Sequence, residues 1–273
     1  MQSVSAKGAS IPAVGLGTLF LKDAVCTEIV TAAVKAGYRH IDTAQMYGNE
    51  AEVGQGLRVS GVKREDVFIT TKVWWNKLMP GEFERSVEES LGKLGVPSAD
   101  LLLIHWNNPQ VPLKDSVGAL CKAKRAGLTR HIGVANFTVP LIDEAVSVTS
   151  EPLVTNQIEV HPYLDQSKIA AACARHGISI TAYCPLARGK IPGDETLMRI
   201  GKAHGRSASQ AALRWLIQQG MIVIPRTSKP ERLRENLAVF DFTLSPAEMN
   251  EIGKLKRPDG RLVSPPHAPK WDN

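Results

Sequence analysis

The chain has 273 residues, of which 43% are hydrophobic and 22% are charged, and its formal net charge is +6. This ordinary globular composition argues against long disorder, a fibrous repeat and a disulfide scaffold. The charges are mixed along the chain, without the basic stripe that is typical of nucleic-acid-binding proteins, so we expect no nucleic-acid partner.

Short apolar runs alternate with amphipathic segments along the chain, and eight of these runs are candidate strands. In chain order they are Val14–Gly17, His40–Asp42, Val67–Lys72, Leu101–His105, His131–Asn136, Thr155–Glu159, Ser179–Tyr183 and Met221–Ile224. They recur at intervals of roughly 24–42 residues, which is the spacing expected when a helix and a return loop follow each strand. Such alternation predicts a parallel sheet covered by helices, either open and doubly wound or closed. The number of strands favours an α/β fold of the (β/α)8 TIM-barrel type.

The segments between the strands carry signals for helix starts and ends. Capping boxes at Ser207–Gln210 and at Ser245–Glu248 predict the starts of two helices. A glycine stands shortly before several of the predicted strands. Because glycine readily adopts the left-handed conformation, we expect a helix to end at each of these positions. These glycines are Gly37, Gly95, Gly127, Gly177 and Gly220.

The organisation of the chain predicts a single domain. No Pro-, Ser- or Gly-rich linker divides the sequence, so we expect a single barrel domain over residues 1–273. Residues 258–273 are rich in proline and lack periodicity, and we expect them to form a short C-terminal loop over the mouth of the barrel.

The four cysteines form no Cys-x-x-Cys pair, residues 1–11 lack the apolar core of a signal peptide, and no apolar stretch is long enough to span a bilayer. We therefore expect a cytoplasmic protein that does not contact membranes.

Polar residues stand at or just after every predicted strand end. They are Thr18, Asp42, Lys72, His105, Asn136, Gln157, Tyr183 and Arg226. In a β/α barrel the C-terminal ends of the strands meet at one rim, where function gathers. The sequence therefore predicts a polar site at this rim.

Four residues near this rim suggest a proton-donating centre for a carbonyl: Asp42, Tyr47, Lys72 and His105. A tyrosine hydroxyl has a pKa of about 10, and a nearby ammonium would favour the phenolate and lower that pKa by ~1–3 units. The aspartate would hold the ammonium, and the histidine would orient the oxygen that receives the proton. The structural alternative makes Asp42 a turn cap, Lys72 a solvent-reaching side chain and His105 a core histidine.

The common motifs of other enzyme classes are absent from the sequence. The dinucleotide fingerprint G-x-G-x-x-G fails at its third glycine, because Gly15-Leu16-Gly17 is followed by Thr18-Leu19-Phe20. No Walker phosphate loop, H-E-x-x-H or G-x-S-x-G motif occurs, which argues against a P-loop ATPase, a zinc protease and an α/β-hydrolase.

Several segments, in sequence order, resemble the blocks of the aldo-keto reductases. These segments are Gly15–Thr18, Arg39–Glu50, Thr71–Trp74, Leu103–Trp106, Gly133–Phe137, Asn156–Glu159, Ala182–Leu186 and Ile224–Asn236. The resemblance covers nearly the whole chain. The segment Asp259–Asp272 is similar to that of a short bacterial branch of the family, which includes 2,5-diketo-D-gluconate reductases.

The resemblance implies a barrel enzyme that reduces carbonyl groups with NADPH and without a metal. Its substrates would be aldehydes, α-dicarbonyls such as methylglyoxal or keto-sugar acids such as 2,5-diketo-D-gluconate, and it would act as a monomer. Tyr47 matches the proton donor, Lys72 and Asp42 match its activating pair, and His105 matches the residue that orients the carbonyl. Hydride would pass directly to the carbonyl carbon while Tyr47 protonates the oxygen.

The same resemblance implies two sets of binding residues. The cofactor set is Gly17, Thr18, Asp42, Asn136, Gln157, Tyr183, Pro185, Leu186, Arg226, Thr227, Ser228, Arg232, Glu235 and Asn236. Within it, Asn136 and Gln157 match the groups that hold the nicotinamide carboxamide, and Tyr183 matches the stacking ring. Arg226, Thr227 and Arg232 match the grip on the adenosine 2′-phosphate, which favours NADPH over NADH. The substrate set is Leu19, Trp74, His105, Trp106 and Arg261.

Two other functions remain open at this point. The same barrel could hold NADPH as a redox sensor or regulatory subunit with little turnover, although the intact set of four candidate catalytic residues argues against this. Lys72 could instead be the Schiff-base nucleophile of a lyase or isomerase. That function would leave Tyr47 and the basic segment without a role.

Overall fold

The computed structural model describes residues 2–272, and it begins with a β-hairpin that the sequence analysis did not predict. Strands β1 (Ser3–Ala6) and β2 (Ala9–Pro12) pair antiparallel, with Ala6 opposite Ala9. Lys7 and Gly8 connect them with φ angles of 45° and 86°, the left-handed conformation that tight turns use.

Eight further strands follow, and all of them pair in parallel and in sequence order. They are β3 (Leu16–Gly17), β4 (His40–Asp42), β5 (Phe68–Val73), β6 (Ala99–Ile104), β7 (Thr129–Ala135), β8 (Leu153–Glu159), β9 (Ser179–Tyr183) and β10 (Ile222–Val223). Each of the eight predicted runs overlaps one of these strands, so the prediction of a parallel α/β sheet is confirmed.

Hydrogen bonds also join the first and last strands of this sheet. The backbone N–H of Gly15 donates to the Val223 carbonyl at 2.9 Å, and the Val223 N–H donates to the Ala13 carbonyl at 2.9 Å. The Gly17 N–H donates to the Pro225 carbonyl at 3.2 Å. Eight parallel strands with joined edges and intervening helices have the arrangement of a (β/α)8 fold.

The helices lie between and after the strands. They are α1 (Asp23–Lys35), α2 (Glu50–Ser60), α3 (Glu82–Leu94), α4 (Leu113–Arg125), α5 (Val139–Val148), α6 (Ser167–Arg175), α7 (Glu195–Ala203), α8 (Ala208–Gln218), α9 (Pro230–Leu237) and α10 (Pro246–Gly253). Both predicted capping boxes are present, at the starts of α8 and α10. The five predicted stop glycines all have positive φ angles, as the left-handed ends of helices require.

Two apolar clusters form the core. The larger one fills the space between helices and sheet, and the smaller one lies inside the sheet, where Leu101, Leu103 and Val154 pack with Ala6 and Ile11 of the hairpin. The hairpin therefore closes the end of the barrel at which the strands begin. The opposite end, where the strands finish, remains for a site.

Candidate active site

The four candidate catalytic residues lie together at the ends of neighbouring strands. Asp42 ends β4, Tyr47 lies in the 3-10 turn that follows, Lys72 is the penultimate residue of β5, and His105 comes directly after β6. The Lys72 Nζ lies 2.5 Å from Asp42 Oδ1 and 3.3 Å from the Tyr47 hydroxyl. The rings of Tyr47 and His105 are 5.7 Å apart, edge to face.

The Lys72–Asp42 ion pair is buried and fully hydrogen-bonded. The side chains are 0% and 1% exposed. Lys72 also donates to the Thr43 carbonyl at 2.8 Å, and Gln157 Nε2 donates to Asp42 Oδ2 at 2.7 Å. A buried ion pair is stabilised only when such further hydrogen bonds are present. Burial lowers the pKa of Lys72, while Asp42 acts in the opposite direction and favours the ammonium.

The pKa of Tyr47 moves in the direction opposite to the sequence prediction. Burial raises the pKa of this hydroxyl well above its ordinary value, and the negative charge of Asp42 raises it further. The expected lowering by Lys72 was therefore wrong: Tyr47 is buried, and burial is the largest of several causes that all raise this pKa. Tyr47 thus holds its proton at neutral pH, which is the state that a proton donor needs.

His105 faces the same space as a neutral ring. Burial, the charge of Lys72 and the proximity of His267 lower the pKa of His105 well below its usual 6.5. Its ring lies 5.1 Å from that of Trp74, edge to face. Its backbone carbonyl accepts a hydrogen bond from Asn136 Nδ2 at 3.0 Å, which ties the end of β6 to the end of β7.

Three further predicted residues follow on the next strands. The Tyr183 hydroxyl, at the end of β9, donates to Asn136 Oδ1 at 2.7 Å. Asn136 has a φ of 61°, a left-handed conformation that asparagine adopts more readily than most other non-glycine residues. Gln157 on β8 reaches Asp42, so the predicted cofactor residues and the ion pair form one hydrogen-bonded network.

A cavity of about 910 Å³ connects these residues. All the predicted site residues line it except Lys72, Ser228 and Arg261. Lys72 lies behind Asp42 and Tyr47 and acts through them, whereas Ser228 is exposed beside α9. Arg261 is half-buried, and its guanidinium lies 3.8 Å from the centre of the Trp271 ring, outside the cavity lining.

The far end of the cavity carries the basic segment. Arg226 and Arg232 line it and are both exposed to solvent. The Thr227 hydroxyl accepts the backbone N–H of Lys229 at 3.0 Å, which shapes the turn that enters α9. Glu235 on α9 accepts the Ser207 hydroxyl at 2.5 Å and so joins α9 to the start of α8.

Several residues that line the cavity were not predicted from the sequence. They are Phe20, Met46, Cys184, Arg188, Gly189, Pro192, Ser207, Ala208, Ser209, Ile224, Pro225, Leu262, Val263, Ser264, Pro265 and His267. Phe20, Cys184 and Arg188 have positive φ angles, so their orientation depends on backbone conformations that no residue type signals. The residues after 261 come from the Pro-rich C-terminal segment, which reaches the barrel by long-range contacts such as those of Leu262 and Val263 with Glu159. The sequence indicated their location only through the prediction that this segment lies over the mouth of the barrel.

Within residues 2–272, no group of three or more His, Cys, Asp or Glu side chains is arranged to hold a metal ion. Over the same residues, no helix combines the length and apolar character that crossing a membrane requires.

Comparison with known sequences places the whole chain in one family. A model of the aldo/keto reductase family matches residues 13–257. Methylglyoxal reductase DkgB of Escherichia coli O157:H7 is 45% identical over 267 residues, which cover 96% of this chain and 100% of that protein. An aldo-keto reductase of Mycobacterium avium (strain 104) is 40% identical over 256 residues, covering 93% of this chain and 89% of that protein.

Comparison with solved structures agrees. A crystal structure provisionally named 2,5-diketo-D-gluconic acid reductase B has a TM-score of 0.98 and 47% identity, and the match covers 100% of this chain and 98% of that one. An aldo-keto reductase of Bombyx mori in complex with NADP has a TM-score of 0.87 and 34% identity, with 94% of each chain covered. The chain belongs to the aldo/keto reductase family and is an oxidoreductase that acts on carbonyl groups.

Proposed function

We propose that the protein reduces small dicarbonyls and keto-sugar acids to alcohols with NADPH as its cofactor. The observation that carries this proposal is the contact of 3.3 Å between Lys72 Nζ and the hydroxyl of Tyr47, which lines a cavity of about 910 Å³. A space of this size is at the upper end of the range for ligand pockets, as a dinucleotide and a small substrate together would need.

The residues around the cavity fit a nicotinamide dinucleotide. Asn136 and Gln157 supply amide groups and Tyr183 supplies an aromatic ring at one end, while Arg226 and Arg232 supply cations at the other. A Cβ atom added at Gly17 would lie 2.7 Å from the Ile224 carbonyl oxygen, so the backbone at this point of the lining must be glycine. When bound, the cofactor would supply a hydride to the carbonyl carbon.

The chain's own residues supply the proton and the positioning. Tyr47, neutral at the start, donates its hydroxyl proton to the carbonyl oxygen as that oxygen gains negative charge. The Lys72 ammonium then stabilises the tyrosinate that remains, and Asp42 keeps the ammonium in place. The neutral ring of His105 donates a hydrogen bond to the same carbonyl oxygen and fixes its orientation.

The basic end of the cavity supports a preference for NADPH. Arginine presents planar paired donors that match a phosphate, and two exposed arginines leave their charges available to it. NADH lacks the 2′-phosphate and would gain nothing from them. We infer that Arg226, Arg232 and the Thr227 hydroxyl hold this group.

The remaining walls support a small substrate. Trp74, Trp106 and Leu19 line the cavity together with His105, and the C-terminal segment adds Leu262 and His267. We infer that residues 258–272 form a short loop over the mouth of a single barrel domain, and Asn273 lies outside the described residues. The names of the similar proteins, methylglyoxal reductase and 2,5-diketo-D-gluconic acid reductase, support the substrate class.

A panel assay tests the proposal. Purified protein is mixed with NADPH or NADH and with methylglyoxal, 2,5-diketo-D-gluconate, an aromatic aldehyde or a simple ketone, and the loss of reduced cofactor is followed. We expect the highest kcat/KM with NADPH and a dicarbonyl or keto-sugar acid. Tight NADPH binding without turnover on any carbonyl would contradict the proposal and favour the redox-sensor function.

A further inference from the structure

Glu159, the last residue of β8, is a buried carboxylate that the catalytic scheme does not use. It is 1% exposed, and both of its oxygens accept hydrogen bonds from the C-terminal segment. The Leu262 N–H donates to Oε1 at 2.7 Å, and the Val263 N–H donates to Oε2 at 3.0 Å. His161 Nε2 lies 3.0 Å from Oε1 and is also fully buried.

This arrangement attaches the C-terminal segment to the barrel by backbone groups. A buried carboxylate is stabilised only by hydrogen bonds or a charge partner, and hydrogen bonds to a charged acceptor are about twice as strong as neutral ones. A second attachment lies near the chain end, where Asp272 Oδ2 accepts the Val139 N–H at 2.9 Å. Lys168 Nζ donates to the Asp272 carbonyl at 2.6 Å. The stretch between the two attachments is therefore held at both ends.

That stretch forms one wall of the substrate end of the cavity. Leu262, Val263, Pro265 and His267 all line it. The His267 ring lies 5.3 Å from that of Trp74 and 5.2 Å from that of Trp106. Trp74 in turn packs against His105, so the position of the segment reaches the residue that orients the carbonyl.

Strand β8 links this attachment to the catalytic residues. Gln157 and Glu159 are two residues apart and therefore lie on the same face of the strand. Gln157 holds Asp42 through its hydrogen bond of 2.7 Å, and Glu159 holds the C-terminal segment. One strand end thus positions both the ion pair and the part of the cavity wall that the C-terminal segment forms.

We propose that Glu159 is a positioning residue that holds the C-terminal segment as the wall of the substrate site and thereby sets the affinity for carbonyl substrates. The proposal rests on the proposed function, because it concerns the substrate end of the same cavity. It assigns Glu159 no contact with substrate or cofactor.

The test is the variant Glu159→Gln, whose amide nitrogen would face one of the two backbone donors instead of accepting from it. Loss of a hydrogen bond to a charged group changes an equilibrium by about 10- to 100-fold. We expect the KM for methylglyoxal to rise by about 10-fold or more, with kcat within about 3-fold of wild type, as expected for loss of ground-state binding. The Kd for NADPH, measured by fluorescence titration, should stay within about 2-fold.

Limited trypsin digestion gives a readout that does not depend on activity. Glu159 holds the N–H of the Arg261–Leu262 bond, which is a trypsin site, whereas Lys270 is exposed and supplies a second site in the same segment. Cleavage after Arg261 should be at least about 10-fold faster in Glu159→Gln, since it depends on the open population. Cleavage after Lys270 should change little.

Glu248→Gln is the matched control. Glu248 also accepts a backbone N–H, at 2.7 Å from Ser245, and a histidine Nε2, at 2.9 Å from His204, but it lies on α10 outside the cavity lining. This variant should leave KM and cleavage after Arg261 unchanged.

A second way to displace the C-terminal segment is the variant Gly260→Ala. Its Cβ would lie 1.9 Å from the Tyr163 carbonyl oxygen and would displace the start of the segment. It should raise KM as Glu159→Gln does. If Glu159→Gln does not fold, this variant tests whether the position of the segment sets the KM for carbonyl substrates.

The proposal is overturned if Glu159→Gln folds and neither its KM nor its cleavage after Arg261 changes. In that case wild-type turnover with NADPH would still support the proposed function. The proposal is also overturned if kcat and the Kd for NADPH change as much as KM, which would indicate a general structural role. Wild-type protein without turnover would contradict the proposed function itself. The trypsin comparison would then still decide whether Glu159 holds the segment.

Discussion

The Lys72 ammonium lies 3.3 Å from the Tyr47 hydroxyl, and both side chains are buried. Their exposures are 0% and 8%. Burial keeps Tyr47 protonated, because its pKa is raised well above the ordinary value, and the adjacent charge becomes useful only once the proton has left. The pair therefore matches a transition state in which the tyrosine loses its proton, more closely than it matches the resting state.

Replacing Tyr47 by Phe removes the proton donor and leaves the ring. General acid catalysis contributes typically about 10²–10⁴-fold, so kcat for methylglyoxal reduction should fall by about that factor. The Kd for NADPH should change by less than about 3-fold, because the hydroxyl acts on the substrate. Tyr163→Phe is the control: Tyr163 is also buried, but its hydroxyl donates to Asp194 at 2.9 Å, outside the cavity lining. Full activity in Tyr47→Phe would contradict the assignment.

Breaking the buried ion pair should reduce stability as well as activity. Lys72→Met leaves the Asp42 carboxylate buried without its charge partner, and loss of one member of such a pair typically destabilises by about 3–5 kcal/mol. Urea denaturation followed by circular dichroism measures the change. The double variant Lys72→Met/Asp42→Leu should be more stable than Lys72→Met alone, because no unpaired charge remains. A double variant at least as unstable as the sum of the single variants would show that Asp42 and Lys72 act independently.

The low pKa of His105 predicts that stability falls in acid. The unfolded chain binds a proton at this residue below about pH 6.5, whereas the folded protein does not until a much lower pH. The unfolded state is therefore favoured as pH falls below about 6.5, and stability is fully present above that value. The free energy of unfolding should decrease between about pH 7.5 and 5.5 and should decrease less in His105→Asn. Equal decreases in the two proteins would indicate that His105 is protonated in the fold.

The two exposed arginines should discriminate between the cofactors. Arg226→Ala combined with Arg232→Ala removes two cations from the basic end of the cavity and should raise the KM for NADPH by at least about 10-fold, since each charged hydrogen bond contributes about 1.5–3 kcal/mol. The KM for NADH should change much less. Arg175→Ala combined with Arg199→Ala removes two exposed arginines outside the cavity lining and serves as the charge-matched control. Equal effects on both cofactors would contradict a 2′-phosphate site.

Features set by local sequence were predictable, and features set by distant contacts were not. The eight parallel strands and the stop glycines follow from apolar runs and from the conformational freedom of glycine, and both predictions are confirmed. The N-terminal hairpin was missed because its strands, SVSA and ASIP, form no continuous apolar run, and Ala6 and Ile11 become core residues only by packing against Leu101 and Val154.

The same distinction between features set by local sequence and features set by distant contacts holds for the site. The positions of Asp42, Lys72 and His105 follow from strand ends, because parallel strands bring their ends to one rim. The direction of the Tyr47 pKa does not follow from its neighbours in sequence, since burial decides it. The bond between Glu159 and Leu262 spans 103 residues and ends on a backbone N–H, so no residue type announces it.

Hydride transfer to a carbonyl with Tyr47 as the proton donor is tested by the stoichiometry of NADPH and methylglyoxal consumption in the wild-type protein, measured beside Tyr47→Phe. With deuterium at the transferred position of the nicotinamide, we expect one NADPH to be oxidised for each methylglyoxal consumed. The deuterium should be found on the new carbinol carbon, and Tyr47→Phe should have almost no turnover. Consumption of methylglyoxal without NADPH oxidation, or NADPH binding without consumption of any carbonyl, would contradict it.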